Sequence, residues 1–278
     1  MKLNIIELVI GIRKRLDIIF YRPFSKFDIS WFQEKLLKHA NSGIEYSHLY
    51  KNRYKIIFKD PKAFLYSVKE LFVEEIYKFK AQDDTPYIID CGSYIGTSIL
   101  FFKTQYPNAK ILAFEPDNSN FELLNNNIKN WDLKDIEIQN AAIWIDNLGV
   151  NFIADGNMAS KIDESNNTAH NENQKTKSVR LKDLLTEKID FLKIDIEGAE
   201  YEVLVDCESK LSFVENLFIE YHGNYNEMYK LNKIFNILIE NNFKYYIKEA
   251  GVTFEHPFYD RENIYDFNIQ LNIFAFKN

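Results

Sequence analysis

From residue 87 onward the chain alternates short apolar runs with segments of helical period, and that alternation limits the possible fold more than any other feature. Residues 87–90, 111–114, 136–139, 191–195 and 217–221 have the length and content of buried strands. The stretches that begin near Gly96, Ser119, Glu200 and Tyr225 read as helices. In the last of them Leu231, Ile234, Phe235, Leu238 and Ile239 fall on one face, and Ser119 with Glu122 has capping-box spacing. Strands that are apolar throughout and joined through helices are covered on both faces, so the pattern predicts an α/β fold with a mostly parallel sheet. The end of the chain differs. Phe243, Tyr245 and Ile247, and then Phe267, Ile269, Leu271, Ile273 and Ala275, recur with period two and no obvious helix between them, which predicts a closing antiparallel pair.

Ahead of this region residues 28–80 read as helical. Ser30 and Gln33 form a capping-box pattern, and a second helix from about Ala63 would bury Leu65, Val68, Phe72, Ile76 and Phe79 while Lys69, Glu70, Glu74 and Lys78 face water. Pro86 disfavours helical geometry at Thr85. The expected organisation is therefore a helical N-terminal extension or cap, residues 1–82, followed by an α/β domain, residues 83–278. Residues 163–178 are polar apart from Ala169 and rich in Asn, which predicts a mobile loop.

Charge narrows the partners. Lys and Arg number 34 against 41 Asp and Glu, a net charge of −7, which argues against nucleic acid. Residues 1–80 carry 16 basic and 9 acidic side chains, net +7, leaving −14 on the rest. Only the first part suits a polyanion or a membrane surface. Residues 1–27, apolar with a cluster at Arg13, Lys14 and Arg15, fit a helix packed on the main domain or a peripheral membrane contact. The basic cluster follows the apolar stretch and no small-residue cleavage site appears, so no secretory signal is expected, and no run approaches the ~20 apolar residues of a membrane span. Cys91 and Cys207 support neither a disulfide framework nor a zinc site, consistent with a reduced, cytoplasmic protein.

The chemistry gathers at the expected strand ends. The first strand runs into Asp90, Cys91, Gly92, Ser93, Tyr94, Ile95 and Gly96, and Glu115 closes the second strand 23 residues after Gly92. Glycine lets a turn approach a ligand closely, and a carboxylate at the second strand end can accept both hydroxyls of a ribose. The third glycine of a dinucleotide fingerprint is absent, which disfavours an NAD-dependent oxidoreductase. A carboxylate at Asp90 would repel pyrophosphate and suit the ammonium and sulfonium of S-adenosylmethionine. A non-catalytic protein that binds an adenosyl ligand remains open, because fold does not determine function.

Asp195 and Glu197 follow the fourth strand, and Glu220 and His222 stand on the fifth, two apart and so on one face. Four ionisable groups in one crevice make a candidate site for proton abstraction or for a divalent cation. Glu200 and Glu202 read as residues that favour a helix N-terminus. His39, His48, His170 and His256 read as surface residues.

Several ordered motifs resemble those of FkbM-type S-adenosylmethionine-dependent methyltransferases. They are D-C-G-S-Y-I-G at 90–96, F-E-P at 114–116, L-L-N-N-N-I at 123–128, N-A-A-I at 140–143 and, most specific, K-I-D-I-E-G-A-E at 193–200. The resemblance spans about residues 88–220. It implies a class I, Rossmann-like methyltransferase domain with a seven-stranded sheet, acting on hydroxyl groups of sugars, glycans or polyketide-type metabolites. By the same resemblance Asp90, Gly92 and Gly96 line the methionine part of the cofactor, Glu115 holds its ribose, Asn140 and Ala141 lie near adenine, and Asp195 and Glu197 form the acidic pair of the reaction centre. Ser93 and Tyr94 replace the family's usual Ala and Asn, so contacts from that turn are expected through backbone. Lys182 stands where an Asp is usual. Asp195, Glu197, Glu220 and His222 are then expected to bind a small-molecule or glycan hydroxyl and take its proton, with His222 favoured as base by its ordinary pKa and Asp195 by the family pattern.

Overall fold

The computed structural model describes residues 22–153, 161–162, 175–250, 256, 258–259 and 267–277. The expected N-terminal membrane or packing segment lies outside these residues up to position 21, and so does the expected loop from 163 to 174.

The N-terminal part is not helical throughout. Helix α1, Trp31–Lys38, opens on the expected capping box of Ser30 and Gln33. A β-hairpin follows, β1 Tyr46–Tyr50 and β2 Tyr54–Phe58. Lys51 and Asn52 at its turn both take φ of 50°, the left-handed geometry that matches the twist of a tight hairpin. Tyr50 and Phe58 are buried with Ile56, and His48 beside them is buried too, its ring nitrogen 2.8 Å from the Phe27 carbonyl oxygen. His48 is therefore a core residue and not a surface one. Helix α2, Pro61–Val68, is capped by Asp60 and ends in a single π turn, Lys69–Val73. Ile76 and Phe79 lie beyond it, so the helical stripe read from the sequence stops early.

The rest is the expected α/β unit. Strand β3 is Tyr87–Cys91, α3 is Thr97–Gln105, β4 is Lys110–Phe114, α4 is Asn118–Trp131 and β5 is Ile136–Gln139. Four short strands follow as two separate ladders, β6 Ala142–Trp144 with β9 Ser178–Arg180, and β7 Phe152–Ile153 with β8 Lys161–Ile162. Then come β10 Ile189–Ile194, α5 Glu200–Cys207, β11 Val214–Gly223, α6 Met228–Glu240, β12 Lys244–Glu249 and β13 Ile269–Phe276. The main sheet has seven strands in the order β12-β13-β11-β10-β3-β4-β5. β5, β4, β3, β10 and β11 are parallel, and β13 and β12 run antiparallel as the period-two pattern requires. The cap of α4 is Asp117, two residues ahead of the expected Ser119; its side chain accepts from the Asn120 amide at 2.9 Å.

Two apolar clusters cover the sheet. One joins the N-terminal part, through Phe27, Phe58 and Phe64, to Ile95, Phe101 and Trp131. The hairpin is fastened to α4: Trp131 Nε1 donates to the Lys55 carbonyl at 2.9 Å, and the Asn127 amide group bonds Ile57 in both directions while also donating to the Ile95 carbonyl. The other cluster packs Val203, Leu204, Ile234 and Leu238 on the opposite face. Among the described residues no helix is long and apolar enough to cross a membrane.

Candidate functional site

In-register pairing brings Cys91 level with Phe114 and with Ile194, so the chain leaves β3, β4 and β10 at one sheet edge. A cleft lies there, with about 900 Å³ of empty space when open solvent is included. Gly92 has φ +88°, and a Cβ on it would stand 1.9 Å from the Asp195 backbone oxygen. Only glycine permits that approach of turn to strand end. The Gly92 and Ser93 amides donate to the Phe114 carbonyl, which closes the turn against β4.

Glu115 is 6% exposed, and its two carboxylate oxygens accept from the Tyr94 amide at 2.8 Å and the Asp117 amide at 3.0 Å. Burial pushes its pKa up to about 8 against those hydrogen bonds. Each oxygen keeps a second lone pair, and Glu115 lines the cleft with Phe114, Pro116, Ala141 and Ile143. Gly92 and Ser93 line it as well. Three other expected cofactor residues stand behind this wall. Asp90 is fully buried, accepting from the Ser98 hydroxyl at 2.5 Å, and its Oδ1 has no hydrogen bond among the described residues. Gly96 packs α3 on α4, since a Cβ there would meet Leu124 at 2.7 Å. The Asn140 side chain donates to the Glu115 carbonyl at 3.0 Å and so ties two strand ends together.

Lys193, unremarked in the sequence, is the buried counter-ion of the site. Its Nζ lies 3.1 Å from Asp195 Oδ2 and 3.5 Å from Asp90 Oδ1, and donates to the Gly92 carbonyl at 2.5 Å. Burial alone would lower its pKa, but Asp195 and Asp90 outweigh that and hold it above the ordinary value.

At the other end of the cleft the structure brings together Asp195, Glu197, Glu220 and His222. The first three line it, and His222 stands behind them with Nε2 3.5 Å from Glu197 and 3.8 Å from Glu220. Burial and its acidic neighbours push Glu197 up to about 8, even against His222, and raise Glu220 well above the carboxylate range. Burial lowers the proton affinity of His222, yet Glu200, Glu197 and Glu220 together outweigh that and raise it above the ordinary imidazole value. Glu197 and Tyr94, which both line the cleft, take φ of 53° and 49°, left-handed geometry that costs energy in residues with a side chain. Ligand atoms of Asp195, Glu220 and His222 lie within 4.8 Å of one another, a spacing compatible with a divalent cation.

Two residues escaped the sequence reading. Glu200 is fully buried and does more than favour a helix N-terminus: it accepts from the Ile196 and Gly198 amides at 3.2 and 3.1 Å and from His222 Nδ1 at 3.2 Å, joining the loop after β10 to β11. Glu70, expected to face water, lines the cleft from the π turn. Its helical spacing beside Lys69 and Glu74 concealed it.

Raised carboxylate pKa values have a thermodynamic consequence. Glu115 and Glu197, near 8 against an ordinary 4.5, keep their protons in the folded state longer than in the unfolded chain. The stability they contribute is complete below pH ~4.5 and is lost as the pH rises through ~8. The melting midpoint of the free protein is therefore expected to fall between pH ~6 and ~8, and Glu115→Gln should flatten that slope. A midpoint that rises across this window would contradict the assignment.

Comparison with known proteins gives a consistent family. Residues 90–245 match the model of the methyltransferase FkbM domain. "Methyltransferase sdnD" of Sordaria araneosa is 29% identical over 204 residues, 60% of this chain and 77% of that protein. "Methyltransferase 1" of Beauveria bassiana is 26% identical over 176 residues, 55% of this chain and 71% of that protein. Among solved structures, the FkbM methyltransferase from Methylobacillus flagellatus KT aligns over 76% of this chain with 18% identity and a TM-score of 0.48, and the alignment takes in 48% of that chain, so this chain spans about half its length.

Proposed function

We propose, from the premise that the chain belongs to the FkbM methyltransferase family, that it is an O-methyltransferase acting on a hydroxyl of a sugar, glycan or related small metabolite. Methyl transfer is its family's activity, and S-adenosylmethionine is its cofactor. The observation that carries the finer reading is the single cleft in which Glu115 and the Gly92 turn face Asp195, Glu197 and Glu220. The cleft fits the cofactor: the Gly92 turn lines it, Glu115 offers lone pairs to ribose hydroxyls, and Phe114, Ala141 and Ile143 make an apolar strip suited to adenine. Asp90 balances Lys193 instead of meeting the ligand, so in this reading the cationic part of the cofactor is matched by the acidic end of the cleft.

The cofactor supplies an activated methyl group on a cationic sulfur. The protein's own part is to align the acceptor oxygen, receive its proton and keep water out. Asp195, Glu197 and Glu220 hold the hydroxyl, and the proton passes to a carboxylate of this group. Burial raises the proton affinity of Glu197 and Glu220, so either, once ionised, can retain a proton taken from the hydroxyl, and His222 Nε2 lies 3.5 Å from Glu197 and 3.8 Å from Glu220. The buried, free cysteines suit a reducing compartment, and we place the protein in the cytoplasm.

The test uses the full chain. Calorimetric titration with S-adenosylmethionine and with NAD should give binding of the first alone, and methyl-labelled cofactor should transfer label to a sugar or glycan pool as an alkali-stable ether. Label recovered in RNA, or cofactor binding without transfer to any hydroxyl compound, would overturn the O-methyltransferase reading.

A further inference from the structure

Glu70 stands on the single π turn that follows α2. Isolated π turns recur at functional sites because they re-aim side chains within a helical stretch. The end of α2 that leads into it is anchored twice: Ser67 hydrogen-bonds Thr97 at the start of α3, and the Tyr66 hydroxyl donates to the Ala250 carbonyl at 3.1 Å. The neighbouring Glu74 pairs with Lys248 and Lys69, whereas among the described residues Glu70 forms no ion pair with a lysine or arginine. Burial raises its pKa to about 7 against a hydrogen bond from the Tyr66 side chain, with Asp195 and Glu74 adding to the rise and Lys248 opposing it. Its carboxylate lines the cleft wall together with Asp195 and Glu220, where it can accept from a compound that enters.

Glu70, Asp195 and Glu220 interact across the same end of the cleft. Their oxygens accept hydrogen bonds, and a compound with several hydroxyl groups offers donors to each. A phosphate or carboxylate on that compound would meet these carboxylates, and the Lys193 ammonium that also lines the cleft is already paired with Asp195.

We propose that Glu70, with Asp195 and Glu220, determines acceptor specificity by binding a neutral, hydroxyl-rich acceptor and rejecting its phosphorylated or carboxylated counterpart. This rests on the transfer to a sugar-type hydroxyl proposed above. It assigns to the N-terminal segment a direct hand in substrate choice.

The experiment takes the full chain saturated with S-adenosylhomocysteine and measures binding of methyl hexopyranosides, the matching sugar 6-phosphates and the matching uronic acids, with turnover of the same panel from methyl-labelled cofactor. Glycosides are expected to bind about 100-fold more tightly than their anionic counterparts. Glu70→Gln should narrow that gap about tenfold and leave cofactor affinity within twofold; Glu74→Gln, on the exposed side of the same turn, should leave the gap unchanged. Anionic and neutral sugars bound alike, a gap unaltered by Glu70→Gln, or an equal effect of Glu74→Gln would overturn the inference and leave the O-methyltransferase reading intact. Binding of none of the panel by protein that still takes up S-adenosylmethionine would overturn the sugar reading itself, and this inference with it.

Discussion

Lys193→Met is expected to cost the fold about 3–5 kcal/mol in denaturant unfolding, the penalty for leaving a buried charge without its partner. Asp90 is fully buried, and its Oδ1 has Lys193 Nζ as its nearest cation, at 3.5 Å. Methionine keeps the unbranched stem, one atom shorter, and removes the ammonium, so the loss reads electrostatics more than packing. Adding Asp90→Asn should recover most of it, because the amide removes the stranded charge while the Ser98 hydroxyl still has an oxygen to donate to. A single variant within about 1 kcal/mol of the natural protein, or a double variant no better than the single one, would show that this pair does not bear on stability.

Asp195→Asn is expected to lower turnover by about 10²- to 10⁴-fold, the usual worth of general-base assistance, with cofactor affinity almost unchanged. Asparagine keeps the shape and loses both the anion and the capacity to draw a hydroxyl proton toward the cluster. Lys193 retains Asp90 as partner in this variant, so the strand end should stay in place, which a thermal melt can verify. Calorimetry and label transfer on one preparation separate the two effects. Unchanged turnover would remove Asp195 from the reaction; loss of cofactor binding in step with turnover would make it a cofactor residue instead.

Much of the sheet was legible because its strands are apolar on both faces and its last two strands are not, so periodicity alone separated Phe191 and Leu192 from Ile269, Leu271 and Ile273. Gly92 and Glu115 were legible because a strand-to-helix turn and a strand end are local features. Lys193 was not. It sits directly opposite Asp90 across β3 and β10, two elements about a hundred residues apart in the chain, and nothing in either run announces the pairing. The same holds for Glu200, which reaches β11 from the first turn of α5. The hairpin was hidden for another reason: Tyr46, His48 and Tyr50 do alternate, but His and Ser dilute the signal, and the helical period on either side dominated the reading. Asp90 and Asn140 fall where the motif puts them, yet the side-chain direction that takes them behind the cleft wall depends on neighbours a local pattern does not contain.

The fastening of the hairpin to α4 through Trp131 and Asn127 bears on how such a chain can diversify. If the leading segment selects the acceptor as proposed, it is not an interchangeable lid, since cutting it away would bare Phe101 and Phe102 and strip Asn127 of its bonds to Ile57. New acceptors must therefore be won by point changes along the cleft rather than by swapping the leading segment, and grafting that segment onto a relative would require the matching helix to travel with it.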